Sequence, residues 1–143
     1  MTVIKRGRFR FVDLPGRQSA DPLAEVDSQS SARYVTLGYS EGRTAHVHPL
    51  SEEIIYVVTG RGHIWIEGRR QPVEAGDVVH VPTGQAHATV PDPGSTMELM
   101  CFFPHPNLSR NIVDTDIVVT PGIGQQATDG NGGTGPSTTD RKK

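Results

Sequence analysis

The sequence predicts an all-β protein, a double-stranded β-helix of the jelly-roll type closed as one barrel. Short runs of alternating or wholly apolar residues recur through the chain, and Gly and Pro punctuate them at close intervals. No stretch holds a helical period for more than a turn or two.

Taken in order, the first strand is expected near residues 7–12, where Phe9 and Phe11 alternate with Arg8 and Arg10. That alternation makes the basic cluster Lys5, Arg6, Arg8 and Arg10 the polar face of an edge strand. Strands near 32–39, 44–48 and 53–59 follow, the last read from its apolar, β-branched and aromatic content. Thr59-Gly60-Arg61-Gly62 and Glu67-Gly68-Arg69-Arg70 supply turn residues for successive hairpins, which sets strands near 62–67 and 71–74. Further strands are expected near 77–81, 86–90, 97–103 and 116–119. Asn107 to Asp116 reads as a surface crossing with one helical turn. Residues 1–120 are taken as one barrel without internal repeat. Residues 121–143, rich in Gly, Thr, Gln, Asp and Pro and almost without apolar side chains, are expected to form a flexible tail.

Composition narrows the function. At 143 residues the chain fits one compact core, and a net charge of −2 argues against a dominant nucleic-acid or membrane role. No apolar run approaches the roughly 20 residues of a membrane helix, and the N-terminus shows no signal-type apolar core. The single cysteine, Cys101, lies in the apolar run Leu99-Met100-Cys101-Phe102-Phe103 and reads as buried filler, with no intramolecular disulfide. Cytoplasmic residence is the expectation that follows.

The chemistry sits in two blocks, His46-Val47-His48 with Glu53 and Gly60, then Gly76, Pro82, Gly84 and His87. Strand side chains alternate faces, so His46 and His48 point the same way and can clasp one ion. Glu53 opens the strand after the Pro49-Leu50-Ser51 turn, and a hairpin partner brings its carboxylate to the histidines. His87 arrives from a distant strand through Pro82-Thr83-Gly84, where Pro presets a turn dihedral and Gly tolerates positive φ. Three imidazoles and one carboxylate can thus converge on one divalent metal. Glu52 is the rival to Glu53, and alternation turns it away from the cavity if Glu53 points in. His63, His80 and His105 are left outside the ligand set.

These spacings resemble the two boxes of the cupin superfamily. His46-x-His48, four residues, Glu53, six residues, Gly60 matches the first, and Gly76, five residues, Pro82-x-Gly84, two residues, His87 matches the second. The chain departs from the pattern at Ser40, where a glycine is usual, and at Pro91, where an asparagine often closes the second box. The resemblance implies that His46, His48, Glu53 and His87 bind a metal inside a small β-barrel, and that the chain pairs as a homodimer. The overall size and the His46-to-Glu53 string look similar to small bacterial cupins, including those attached to aromatic polyketide cyclisation.

Four protein ligands on an ion that accepts six leave two adjacent positions. Iron, manganese, nickel, cobalt, copper and zinc all suit this donor set. One carboxylate leaves a divalent ion with net positive charge, which favours an anionic or enolisable small-molecule substrate. Cavity walls are expected from Ile55 and Val57 together with some of Trp65, His63, Tyr34 and Phe102, while inter-sheet core is the favoured role for Trp65 and Tyr56. Three function classes follow: a metal-dependent dioxygenase, a Lewis-acid isomerase, cyclase, lyase or decarboxylase, and a non-catalytic binder of a small metabolite.

Overall fold

A computed structural model describes residues 1–122. The tail expected from residue 121 lies, from residue 123 onward, outside the described residues. Eleven strands build two sheets: β1 (Phe11–Leu14), β2 (Arg17–Ala20), β3 (Ser31–Leu37), β4 (Arg43–Val47), β5 (Glu53–Thr59), β6 (Arg61–Ile66), β7 (Arg69–Glu74), β8 (Val78–Val81), β9 (His87–Pro91), β10 (Met97–Phe103) and β11 (Val113–Val119). One sheet runs β1-β2-β3-β10-β5-β8 and the other β11-β4-β9-β6-β7, with antiparallel neighbours throughout. This is the predicted all-β jelly roll.

The apolar core lies between the sheets. Val35, Leu37, Ile55, Val57, Met97, Leu99 and Phe103 are buried there, each at most 8% exposed. Their parity explains the strand assignments: Ile55 and Val57 share the inner face with Glu53, and Leu99, Cys101 and Phe103 oppose them from β10. A second apolar cluster, Ala45, Ala88, Val90 and Val119 with Trp65 packed against it, occupies the other face of the second sheet. Two glycines, Gly60 in the β5–β6 turn and Gly62 within β6, make close approaches that no side chain could share. At Gly60, φ is +86° and a Cβ would stand 2.3 Å from the Thr96 carbonyl oxygen; at Gly62 it would stand 2.2 Å from that of Val90.

The N-terminal expectation needs correction. Arg6–Arg8 form a 3-10 turn and the first strand starts at Phe11, so the basic residues are not the face of a strand. The Arg6 guanidinium lies over the rings of Phe9, Phe11 and Tyr34, which outweighs simple alternation here. β2 was not anticipated, and β11 begins three residues before the predicted 116. The crossing before it does contain one 3-10 turn, Leu108–Arg110, yet Asn111 at its end is 0% exposed.

Candidate metal centre

The site forms where β4, β5 and β9 meet. His46 on β4 stands directly opposite His87 on β9, and His48 follows one pleat later, just past the end of β4. The ring centroids of His46, His48 and His87 lie 4.5–5.0 Å apart. Glu53 enters from the facing sheet and is 4% exposed, while His48 and His87 are each 2% exposed. One donor atom from each of the four residues lies within 4.8 Å of the others. The geometry brings together all four residues singled out by spacing.

The local chain explains the aim of each ring. His48 Nδ1–H donates to the Asn111 carbonyl at 2.8 Å, and His87 Nδ1–H donates to the Gln85 carbonyl at 2.9 Å. A carbonyl can only accept, so the proton is fixed on Nδ1 and Nε2 turns inward. The Asn111 side chain fastens the same turn, accepting from the Leu50 N–H at 2.7 Å and donating to Ser51 Oγ at 2.9 Å. The Gly84 N–H donates to the His48 carbonyl at 2.9 Å, which docks the Pro82–Gly84 turn beside the first histidine pair and delivers His87. Gly84 has φ +81°, as its turn demands.

The inward atoms test whether a cation fits. Both His48 Nε2, at 3.1 Å, and His87 Nε2, at 2.8 Å, face the same oxygen, Glu53 Oε1. With Nδ1 already protonated, each Nε2 must either carry a second proton or direct its lone pair at a cation shared with the carboxylate. Burial would raise the Glu53 carboxyl, but hydrogen bonds from His48 and His87 outweigh it and bring its pKa to about 2. Burial first, then the charge of His87, lowers His46 to about 3. Near neutral pH the cluster therefore offers an anionic carboxylate and a neutral His46 with a free lone pair, a donor set suited to a divalent transition metal.

The remaining candidates lie elsewhere. Glu52 is turned outward and pairs with exposed His80 at 2.8 Å. His63 sits on the outer side of the second sheet beside Arg70, and the His105 ring accepts from the Asn107 N–H at 3.1 Å. Of the expected wall residues, Ile55 lines the cavity and Val57 lies in the adjoining core, but Tyr34 packs on Phe9 and Phe11, and Phe102 is 43% exposed. Trp65 packs in the outer cluster, and Tyr56 is 46% exposed, so neither belongs to the inter-sheet core. Phe103, the next residue of β10, supplies the ring beside His48, with centroids 4.7 Å apart. Burial, with Glu53 nearby, pushes the Cys101 thiol well up, as befits a packed side chain.

A cavity of about 560 Å³ opens onto the cluster. Its wall is largely apolar, from Val35, Leu37, Leu99 and Phe103, and its polar lining residues include Arg17 and Arg43. Arg17 and Asn111 were not among the sequence-derived site residues.

Residues 33–103 match the family model described as a cupin domain. No curated protein matches the sequence. Among solved structures, Lactobacillus farciminis oxalate decarboxylase in a formate complex is 20% identical with a TM-score of 0.65, the match covering 76% of this chain and 34% of that one. KdgF from Halomonas sp. is 21% identical with a TM-score of 0.64, over 76% of this chain and 98% of that one. A variant of Streptomyces PAC13 with uridine is 16% identical with a TM-score of 0.65, over 83% and 94%. The chain thus spans about a third of the length of the oxalate decarboxylase and nearly all of the other two. At these identities the likeness is one of fold. Among the described residues, no helix is long and apolar enough to cross a membrane.

Proposed function

We propose that this chain, which belongs to the cupin superfamily, is a metal-dependent enzyme acting on a small oxygenated organic substrate. The observation that carries the reading is the buried convergence of His46, His48, Glu53 and His87 at the floor of an open cavity. A divalent metal bound there supplies Lewis acidity toward a substrate oxygen or, if redox active, electrons for dioxygen chemistry.

The protein's own groups define what it does around that chemistry. Three imidazoles and Glu53 would hold the ion, with His48 and His87 locked in one tautomer by the carbonyls of Asn111 and Gln85. His46, half buried, borders the cavity, so the substrate approaches from its side. Val35, Leu99 and Phe103 exclude water from the reacting end and strengthen every electrostatic contact made there. The cavity accommodates a molecule of modest size within the usual range of about 300–1,000 Å³.

Of the two reaction types, Lewis-acid lyase, isomerase or cyclase chemistry is favoured over dioxygenase chemistry, and an oxalate decarboxylase among the fold relatives supports that order. A homodimer and cytoplasmic residence belong to the same reading. Exposed Tyr56, Val78 and Phe102, neighbours on one sheet face, support the pairing of two copies. Elemental analysis of the protein purified from its host, with oxygen consumption measured on a panel of diketones, phenols and hydroxy acids, tests the reading. Turnover that requires metal and consumes no oxygen is expected. Oxygen uptake stoichiometric with turnover makes it a dioxygenase, and ligand binding without turnover makes it a binder.

A further inference from the structure

The cavity wall is asymmetric in charge. Arg17, Arg33 and Arg43 contribute to it, against Asp114 and the Glu53 carboxylate already engaged by imidazoles. The three guanidiniums are not equivalent. Arg33 Nη1 is held by the Asp21 carboxylate at 3.2 Å and the Ala32 carbonyl at 2.7 Å. Arg43 Nη2 donates to two carbonyls, Gly16 at 3.0 Å and Gly38 at 2.6 Å, and so fastens the β1–β2 turn to the loop after β3. Arg17 alone of the three has neither a carboxylate partner among the described residues nor a strong internal bond: its Nη1 reaches only the Pro15 carbonyl, at 3.5 Å.

The strand period places this free guanidinium. Arg17 and Ser19 are two apart on β2 and share a face, and Ser19, 7% exposed, lines the same cavity as the histidines. Its partner in register is Leu37, itself part of that wall. Arg43 is the positioning residue: by gripping Gly16 it sets where Arg17 begins. Val35, Leu37 and Leu99 line the same cavity as Arg17 and the histidines and give it an apolar wall. Arg17 precedes the residues that match the family model, so it belongs to this chain's N-terminal hairpin.

We propose that Arg17 receives the carboxylate of a bifunctional substrate, an organic acid with an apolar body whose other, oxygenated end faces His46, His48, Glu53 and His87. The second half of that statement rests on the metal-enzyme reading; the first does not. A planar guanidinium presents two parallel donors that match a carboxylate and reject an uncharged group of the same shape. Arg17 is solvent-accessible, so screening holds its discrimination to about tenfold, the lower end for a charge-assisted pair.

The test uses protocatechuate and its carboxamide, which share a catechol head and differ in charge at the far end. Binding of each is measured by calorimetry to zinc-loaded and to metal-free protein. A preference for the acid of about tenfold is expected in both forms, falling to within twofold in Arg17→Gln and partly kept in Arg17→Lys. Absence of that preference, its survival in Arg17→Gln, its loss in Arg33→Gln instead, or no measurable binding of either compound overturns the assignment. Protein that takes up no zinc yet keeps an Arg17-dependent preference refutes the metal reading and upholds this one. Zinc binding lost in His46→Gln, with no discrimination between the compounds, does the reverse.

Discussion

Asn111→Ala isolates the contribution of the shell around the histidines. The residue is 0% exposed, and its carbonyl, which accepts from His48 Nδ1, would survive the substitution. What disappears is the carboxamide that pins it. The Leu50 N–H loses an acceptor 2.7 Å away; it lies at a partly exposed rim where water can replace the bond, so the cost there is about 1 kcal/mol. Ser51, 7% exposed, keeps its bond to the Glu52 carbonyl and loses only the Asn111 donor, which costs about 0.5–1 kcal/mol. The void left in a fully buried site adds about 1 kcal/mol. The total is about 2.5–3 kcal/mol, or about 8–12 °C in melting temperature for a domain of this length. Because the turn that carries the His48-orienting carbonyl is no longer pinned, zinc affinity should fall by about tenfold. Urea unfolding of the metal-free protein reads the first effect and competition with a chromogenic chelator the second. Stability within about 0.5 kcal/mol of the parent protein, with zinc affinity changed less than twofold, would refute the role assigned to Asn111.

Other expectations follow from the same geometry. Glu53→Gln should lower metal affinity by at least about tenfold while Glu52→Gln, on the outward pair with His80, leaves it within twofold; the reverse order in a chelator competition would exchange their roles. In metal-free protein, His46 titrates at about 3 when folded against 6.5 when unfolded, and Glu53 at about 2 against 4.5, so in both cases the unfolded chain binds the extra proton. Stability should therefore fall as pH drops from about 6.5 toward 3, and His46→Gln should flatten the upper part of that slope in urea titrations. Gly60→Ala should abolish soluble expression or cost several kcal/mol, since a Cβ would stand 2.3 Å from a backbone oxygen. Gly84→Ala, with open space around it, should cost only about 1–2 kcal/mol for its positive φ. Cys101 should resist iodoacetamide in the folded protein and react once urea unfolds it; rapid labelling of the native chain would contradict its burial.

The parts legible in the sequence are those where a period of two meets strong side-chain chemistry. β5 and β10 occupy the predicted residues, 53–59 and 97–103, because alternating apolar runs leave one face that can be buried. The same period put His46 beside His48, while the six-residue interval to Gly60 chose Glu53 over Glu52. β2 was illegible because Arg17-Gln18-Ser19-Ala20 has no β-branched or aromatic residue, and its strand character comes from pairing with β3. Asn111 was hidden in a polar stretch, where nothing local distinguishes an amide that will be buried 60 residues away from its partner Ser51. Which face each aromatic takes depends on sheet register: Tyr34 and Phe102 lie on the outer face while Phe103 turns in beside His48. Arg17 could not be read as a wall residue until the hairpin was folded back over β3.

The most direct measurement is an anomalous-difference map from crystals grown with zinc or manganese, collected on either side of the metal's absorption edge. One strong peak is expected per chain, about 2.0–2.2 Å from the inward nitrogens of His46, His48 and His87 and from a Glu53 oxygen. A map without a peak among those four atoms, or with its peak at the exposed Glu52–His80 pair, would contradict the metal centre and the function proposed from it.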